Sequence, residues 1–367
     1  MPAKLLIPGP VAVEEETLRE MGGPVQVHYG PEWTATYNET RELLQRVFHT
    51  QGEVHILVGS GSAGLDAAIG SLTSPGETVL VGVNGFFGER LVEICQGYAL
   101  QAVPVAAPLG VPLTVEAFRS ALERYPKAAA LAVVQLETST AVVNPVQEIA
   151  AAAAERGVAV IVDAVSSLGG IPLQMDAWGI DICASASQKC LGAPPGLAPV
   201  AVSERAREIM QAKPERGHGW YLNLQIWSRY AEEWADWHPF PITMATNTVL
   251  ALRAALKRLL ADGIEARVRR YTALAMRLRE GARRLGLRPF TPDERLAPVL
   301  TAIHSPEGIP SGEIVQYLYK TRDIRIAGGM GKEIRDRLFR VGHMGPMVGE
   351  ADIDAVLDGL AAFLAER

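Results

Sequence analysis

From about residue 54 to 203 the chain repeats one pattern: a short, mostly apolar, strand-like run followed by a helix-like segment. Residues 54–58, 78–83, 99–106, 128–135, 158–162 and 180–184 are strand candidates. Residues 63–72, 88–96, 114–125 and 145–156 read as helices between them. A strand that is apolar along its whole length is covered on both faces. Alternation with helices then gives an α/β fold with a mainly parallel central sheet. In such a sheet ligands bind beyond the carboxyl ends of the strands.

The chain has 367 residues, enough for two domains at about 100–200 residues each. Residues 213–245 read as irregular and hold Trp220, Trp227, Trp234 and Trp237, a density that predicts burial, here at a subunit contact. A helical stretch over residues 246–285 breaks at Asp262-Gly263. A strand near 299–304, a helix near 311–320, two short strands and a final helix over 352–365 predict a smaller α+β C-terminal domain.

The formal net charge of −6 argues against a nucleic-acid or anionic-membrane partner. No run approaches the roughly 20 apolar residues that a bilayer span requires. Met1 to Pro8 breaks too early for a secretory signal. Cys95, Cys183 and Cys190 form no CxxC pair and read as reduced structural thiols, which predicts a cytoplasmic protein. No metal site is expected.

Lys189 stands in Ser185-Ala186-Ser187-Gln188-Lys189, just past an apolar strand and before the Gly/Pro-rich Leu191–Gly196 turn. Limited hydration there disfavours the ammonium. A neutral amine can attack a carbonyl and hold it as a Schiff base. The plain alternative is a lysine that snorkels out of the turn. Gly59-Ser60-Gly61-Ser62-Ala63-Gly64 follows the first strand and opens a helix, so free amides and the helix dipole make an anion site. The same residues match G-x-G-x-x-G. A dinucleotide site would want an acidic residue about 20 positions later; Val83-Asn84-Gly85 stands there instead. The plain alternative is a tight strand-to-helix turn. Asp163 ends the apolar strand at 158–162, where an unpaired carboxylate is costly. It precedes Lys189 by 26 residues, room for one helix and one strand, so both can face one crevice. A turn or cap aspartate is its plain alternative.

Together with Asn84-Gly85-Phe86-Phe87-Gly88-Glu89-Arg90, these features resemble the class V aminotransferases, pyridoxal-5′-phosphate (PLP) enzymes of fold type I. The resemblance is to the alanine–glyoxylate and serine–pyruvate aminotransferase group. It runs from Pro8-Gly9-Pro10 to Arg340–Gly345 and is most specific from Asp163-Ala164-Val165-Ser166-Ser167 through Ser187-Gln188-Lys189 to Pro194-Pro195-Gly196.

The resemblance implies the following. Lys189 holds PLP as an internal aldimine and later moves a proton at the substrate Cα. Asp163 pairs with the pyridine nitrogen, so that the ring accepts electrons. Phe87 stacks on one ring face, where many relatives carry tryptophan, and Val165 packs on the other. Ser139, in Glu137-Thr138-Ser139-Thr140, bonds the ring oxygen or its neighbourhood. Ser60, Gly61, Ser62 and Gln188 hold the phosphate, and Thr243 reaches it from the partner subunit of a homodimer. Phe240 falls where some relatives place a phosphate-binding tyrosine. Arg340 takes the substrate α-carboxylate, aided by backbone near Gly9; its fork suits that task, and a structural salt bridge is the alternative. His28 lies where relatives carry His-Arg-Ser, from which Tyr29 and Gly30 depart. His343 and Lys332 read as structural and solvated.

The implied division is an N-terminal segment over 1–20 at the active site and dimer interface, a large PLP-binding domain over 21–255 and a small domain over 256–367. The implied activity moves an amino group from alanine or serine to glyoxylate or pyruvate. Ureidoglycine, aspartate or an aminophosphonate are alternative donors. An NAD-dependent oxidoreductase using the glycine loop is the rival of another class. A cysteine desulfurase would need a thiol late in the chain, and no cysteine follows Cys190.

Overall fold

The structure, a computed structural model, describes residues 3–213 and 219–367. Its central sheet has seven strands: β1 (Glu53–Val58), β2 (Thr78–Val83), β3 (Gln101–Ala106), β4 (Ala130–Val134), β5 (Ala159–Asp163), β6 (Ile182–Ala184) and β7 (Leu197–Val202). Their order across the sheet is β3-β2-β4-β5-β6-β7-β1. Every pairing from β3 to β6 is parallel, and β7 runs antiparallel to both neighbours.

The expected α/β architecture with a mainly parallel sheet is therefore present. β4 and the first four residues of β5 are apolar and buried, and the Asp163 that ends β5 is buried with them. Helices Gly61–Leu72, Phe86–Gly97, Val115–Arg124 and Val146–Ala154 separate successive strands. The connection between β5 and β6 is made of turns, not the helix expected between Asp163 and Lys189, and the segment carrying Lys189 between β6 and β7 likewise contains turns and no helix.

Residues 213–245 differ from the irregular stretch expected. Their described part contains the helix Leu224–Glu233, and residues 214–218 lie outside the described residues. Leu224 and Trp227 mark its buried face, and the exposed aromatic and charged residues around them obscure that spacing in the sequence. Trp227 is fully buried and donates its indole N–H to the Tyr221 carbonyl at 2.9 Å. Trp220, Trp234 and Trp237 are not buried within the chain, at 47%, 39% and 51% exposure.

Beyond Gly263, whose φ of 82° ends the helix Thr246–Asp262, the chain builds a second hydrophobic core. Helices Ile264–Arg284, Ser311–Arg322 and Glu350–Ala365 contribute Leu278, Leu318 and Leu360 to it. A three-stranded antiparallel sheet supplies the rest: Leu300–His304, then Leu338–Gly342, then Ala327–Gly328. The N-terminal strand Lys4–Leu5 pairs in parallel with Ile324–Arg325, and Leu6 accepts from the Gly342 N–H at 2.7 Å. Cys190 belongs to this second core, while Leu191 belongs to the first. The loop after β6 thus lies along the seam between them.

Ile161 is fully buried at the centre of β5. Ile161→Ala should lower the unfolding free energy by about 2–5 kcal/mol, read as a lower urea midpoint with an unchanged slope.

Candidate active site

The sheet register places the two central residues. Asp163 is the last residue of β5 and pairs with Val134 on one side and Ala184, the last residue of β6, on the other. Lys189 follows five residues after that strand end. Both line a cavity of about 240 Å³ at the carboxyl end of the sheet. Phe87 and Val165 line it too, as do Ser60, Gly61, Ser62 and Gln188. Eight residues singled out in the sequence therefore meet around one space.

Lys189 is partly buried, and its amine donates to the Pro8 carbonyl. Burial lowers its pKa, and the Arg340 and Arg90 guanidinium charges push the same way; Cys190 and Asp163 oppose them. Gly9 presses directly on this side chain. A Cβ there would lie 2.5 Å from Lys189 Cδ, and its φ of 101° also suits glycine.

Asp163 is only 5% exposed. Its Oδ1 accepts the Val165 N–H at 2.8 Å. Burial raises its pKa from 3.8 to about 6, with the Glu137 charge adding and Val165, Lys189 and Arg90 opposing.

The helix Gly61–Leu72 begins at the cavity, and its first amides have no intrahelical acceptor. Thr114, Ser203 and Asn223 cap their helices by accepting backbone N–H bonds. Ser60, at the same position, makes no such bond. Its hydroxyl stays available at a concentration of free donors that suits an anion. Gln188 has a buried side-chain oxygen without a partner, although its backbone carbonyl is bound by the Val11 N–H at 3.0 Å. A Cβ on Gly61 would come within 2.6 Å of Val165 Cγ2, so glycine here keeps the floor of the cavity open.

The remaining expected residues lie outside the cavity lining. Ser139 directs its hydroxyl to Glu137 Oε1 at 2.6 Å and accepts from the Phe86 N–H at 3.1 Å. Arg340, 7% exposed, donates Nε to the Gly328 carbonyl and Nη1 to the Thr138 carbonyl, both at 2.9 Å. Burial lowers its pKa to about 10, and Glu137 opposes that shift. The structural salt bridge considered for Arg340 has no counterpart among the described residues. Thr243 is exposed. Phe240 is fully buried against Tyr37, with ring centroids 4.7 Å apart. His28 meets His238, Nδ1 to Nε2 at 3.1 Å, on this aromatic side of the molecule. His343 is buried beside Thr301 at 3.0 Å, and Lys332 is exposed.

Two residues escaped the sequence reading. Arg90 lines the cavity with its guanidinium 4.8 Å from the Phe87 ring centroid. It belonged to a recognised segment, but its charge carried no assignment. Glu137 is fully buried beneath the site, and a carboxylate within an apolar stretch was the available signal. A larger cavity of about 1240 Å³ between the helices Pro31–Phe48 and Ile264–Arg284 contains none of the expected site residues.

A sequence profile of the class-V aminotransferases matches residues 11–334. An uncharacterized aminotransferase of Methanocaldococcus jannaschii is 37% identical over 96% of this chain and 90% of its own length. The (S)-ureidoglycine–glyoxylate transaminase of Bacillus subtilis is 31% identical over 98% of this chain and 90% of its own. The crystal structure of an alanine–glyoxylate aminotransferase from Nostoc superposes with a TM-score of 0.94 at 32% identity, covering 99% of this chain and 96% of that one.

The chain belongs to the class-V aminotransferase family. It is a PLP-dependent transaminase of fold type I. The residues present fit that cofactor: an apolar slot for a ring, a buried carboxylate for its nitrogen, free donors for a phosphate and an amine of lowered basicity.

Asp163 gives a pH prediction. A carboxyl with a raised folded-state pKa stabilises most below its unfolded value of 3.8, and that stability is lost as pH rises through about 6. Cofactor-free Asp163→Asn should therefore gain about 3 kcal/mol over the parent at pH 7 and little at pH 4. Urea unfolding of both apoproteins at the two pH values checks this.

Proposed function

We propose that this transaminase moves an amino group from a small amino acid, alanine or serine, to a small 2-oxo acid, glyoxylate or pyruvate. The observation that carries the reading is the single cavity shared by Lys189, with its lowered basicity, and the buried Asp163. Bound PLP supplies an electron-accepting ring that stabilises negative charge at the substrate Cα. Lys189 is assigned to hold it covalently and, once the substrate amine has displaced it, to carry the proton between the substrate Cα and the cofactor's C4′ carbon. Lowered basicity favours the free amine that both tasks use.

Asp163 is assigned to the ring nitrogen. The opposite charge of a protonated ring nitrogen would favour its carboxylate form, reversing the effect of burial. Phe87 and Val165 are assigned to the two ring faces. Ser60, Gly61, Ser62 and Gln188 are assigned to the phosphate, supported by the uncapped helix start. Ser139 is assigned to the ring oxygen or its neighbourhood. Arg340, with backbone near Gly9, is assigned to the substrate carboxylate. Its Nε and Nη1 are committed to carbonyls, which leaves Nη2 to meet an acid.

Thr243, exposed and away from this chain's cavity, is assigned to the partner's phosphate in a homodimer. The exposed Trp220, Trp234 and Trp237 support such a contact. Of the division at 1–20, 21–255 and 256–367, the two hydrophobic cores support two lobes, although Leu256 and Leu259 still belong to the first core. Buried, unpaired Cys95, Cys183 and Cys190 support a cytoplasmic setting. No helix among the described residues is long and apolar enough to cross a membrane.

A panel of alanine, serine, aspartate, ureidoglycine and an aminophosphonate against glyoxylate, pyruvate and 2-oxoglutarate tests the reading. Fastest product formation from alanine or serine with glyoxylate or pyruvate is expected; a strong preference for any other donor overturns the assignment. Lys189→Ala should abolish turnover, and borohydride should no longer fix the cofactor to the protein, while far-ultraviolet circular dichroism stays unchanged. Arg340→Ala should raise the amino-acid KM by about 10- to 100-fold, the loss of one charge-assisted pair. Its PLP affinity should change far less, measured by titrating the apoprotein.

A further inference from the structure

We propose that Glu137 is a positioning residue whose one buried carboxylate sets both the Phe87 ring and the carbonyl that holds Arg340. The inference rests on the roles assigned above to those two residues. Glu137 is 0% exposed and ends a two-residue strand, Leu136–Glu137, paired with Val142–Val143. Its Oε2 accepts the N–H groups of Phe87 at 2.9 Å and Gly88 at 3.1 Å. These are first-turn amides of the helix Phe86–Gly97, which have no intrahelical acceptor. Its N-cap is Gly85, which has no side chain to offer, so a carboxylate from 50 residues away performs the capping. Its Oε1 accepts the Ser139 N–H at 2.9 Å and the Ser139 hydroxyl at 2.6 Å. That hydroxyl in turn accepts the Phe86 N–H.

Thr138 lies between these anchored residues, and its carbonyl accepts Arg340 Nη1. The three-residue turn at 137–139 therefore joins the start of the Phe87 helix to the guanidinium of the second core. Four donors converge on two oxygens, and both oxygens must be acceptors. Burial raises the Glu137 pKa, while the Ser139, Gly88 and Phe87 donors resist that rise. A glutamine has one acceptor oxygen. Its NH₂ would face either the Phe87 and Gly88 amides or the Ser139 donors, and one side of the clamp would open. An aspartate keeps the charge but is one methylene too short to reach both sides.

The test uses two readouts on Glu137→Gln and Glu137→Asp. The first is PLP affinity of the apoprotein, by fluorescence titration. The second is the half-reaction preference for alanine over ethylamine, which lacks the carboxylate that Arg340 is assigned to bind. In each variant the PLP dissociation constant should rise about 10-fold and the alanine preference should shrink about 10-fold. A merely structural residue would slow both amines equally and leave the preference intact. Either quantity remaining within about twofold of the parent in a folded variant overturns the proposal, as does failure of both variants to fold. If the parent does not convert alanine at all, the functional assignment fails, and the PLP titration still decides whether Glu137 sets the Phe87 face.

Discussion

Partial removal of one primary amine from water governs this structure. Lys189 lies where the first core, built on the seven-stranded sheet, meets the second core of the C-terminal half. Its immediate neighbours Cys190 and Leu191 are each fully or almost fully buried, one in each core. That packing fixes the backbone of the loop, and Gly9 confines the side chain from the opposite side. A charged ammonium is disfavoured in such a place unless a partner compensates it. Asp163 is the carboxylate available on the same cavity, and it is itself disfavoured as an anion by burial. Two groups that each pay for charge, facing one space, make a site responsive to whatever occupies it.

The arrangement also explains the division of labour between strand ends and helix starts. Strands β5 and β6 deliver Asp163 and the Lys189 loop, while the helices Gly61–Leu72 and Phe86–Gly97 begin at the same level. Helix starts offer unpaired N–H groups. At the first helix they face the cavity beside Ser60. At the second they are consumed by Glu137. The same backbone feature is thus left open in one place and satisfied by a side chain in the other. Arg340 reaches the neighbourhood from the second core by bonding the Thr138 carbonyl, so its guanidinium and the start of the Phe87 helix share one turn.

Much of this was readable in the sequence, for reasons that can be named. The apolar β4 and the apolar run before Asp163 in β5 announce burial on both faces, and the spacing of Asp163 and Lys189 leaves room for a crossover, which the structure makes of turns rather than the helix expected. The Gly59–Gly64 loop carries its chemistry locally. The contacts that were not legible are those made by tertiary packing. Nothing local in Glu137-Thr138-Ser139 says that its acceptors meet amides at 86–88. The antiparallel direction of β7 follows a turn-rich segment, and composition alone does not fix it. The helix Leu224–Glu233 was hidden because its exposed aromatics dilute the apolar spacing that Leu224 and Trp227 mark. Arg90 was seen as part of a segment, but its place on the cavity comes from the packing of its helix.

The pairing of Lys4–Leu5 with Ile324–Arg325, and of Leu6 with Gly342, has a consequence for biogenesis. A ribosome delivers residues 4–9 long before the segments that dock them. Until those segments are made, residues 4–9 lack this anchor while the sheet forms behind them. Only after position 342 emerges can the Pro8 carbonyl settle over Lys189. The Lys189 amine therefore gains this cover only after the segments at 324–325 and 342 have been made.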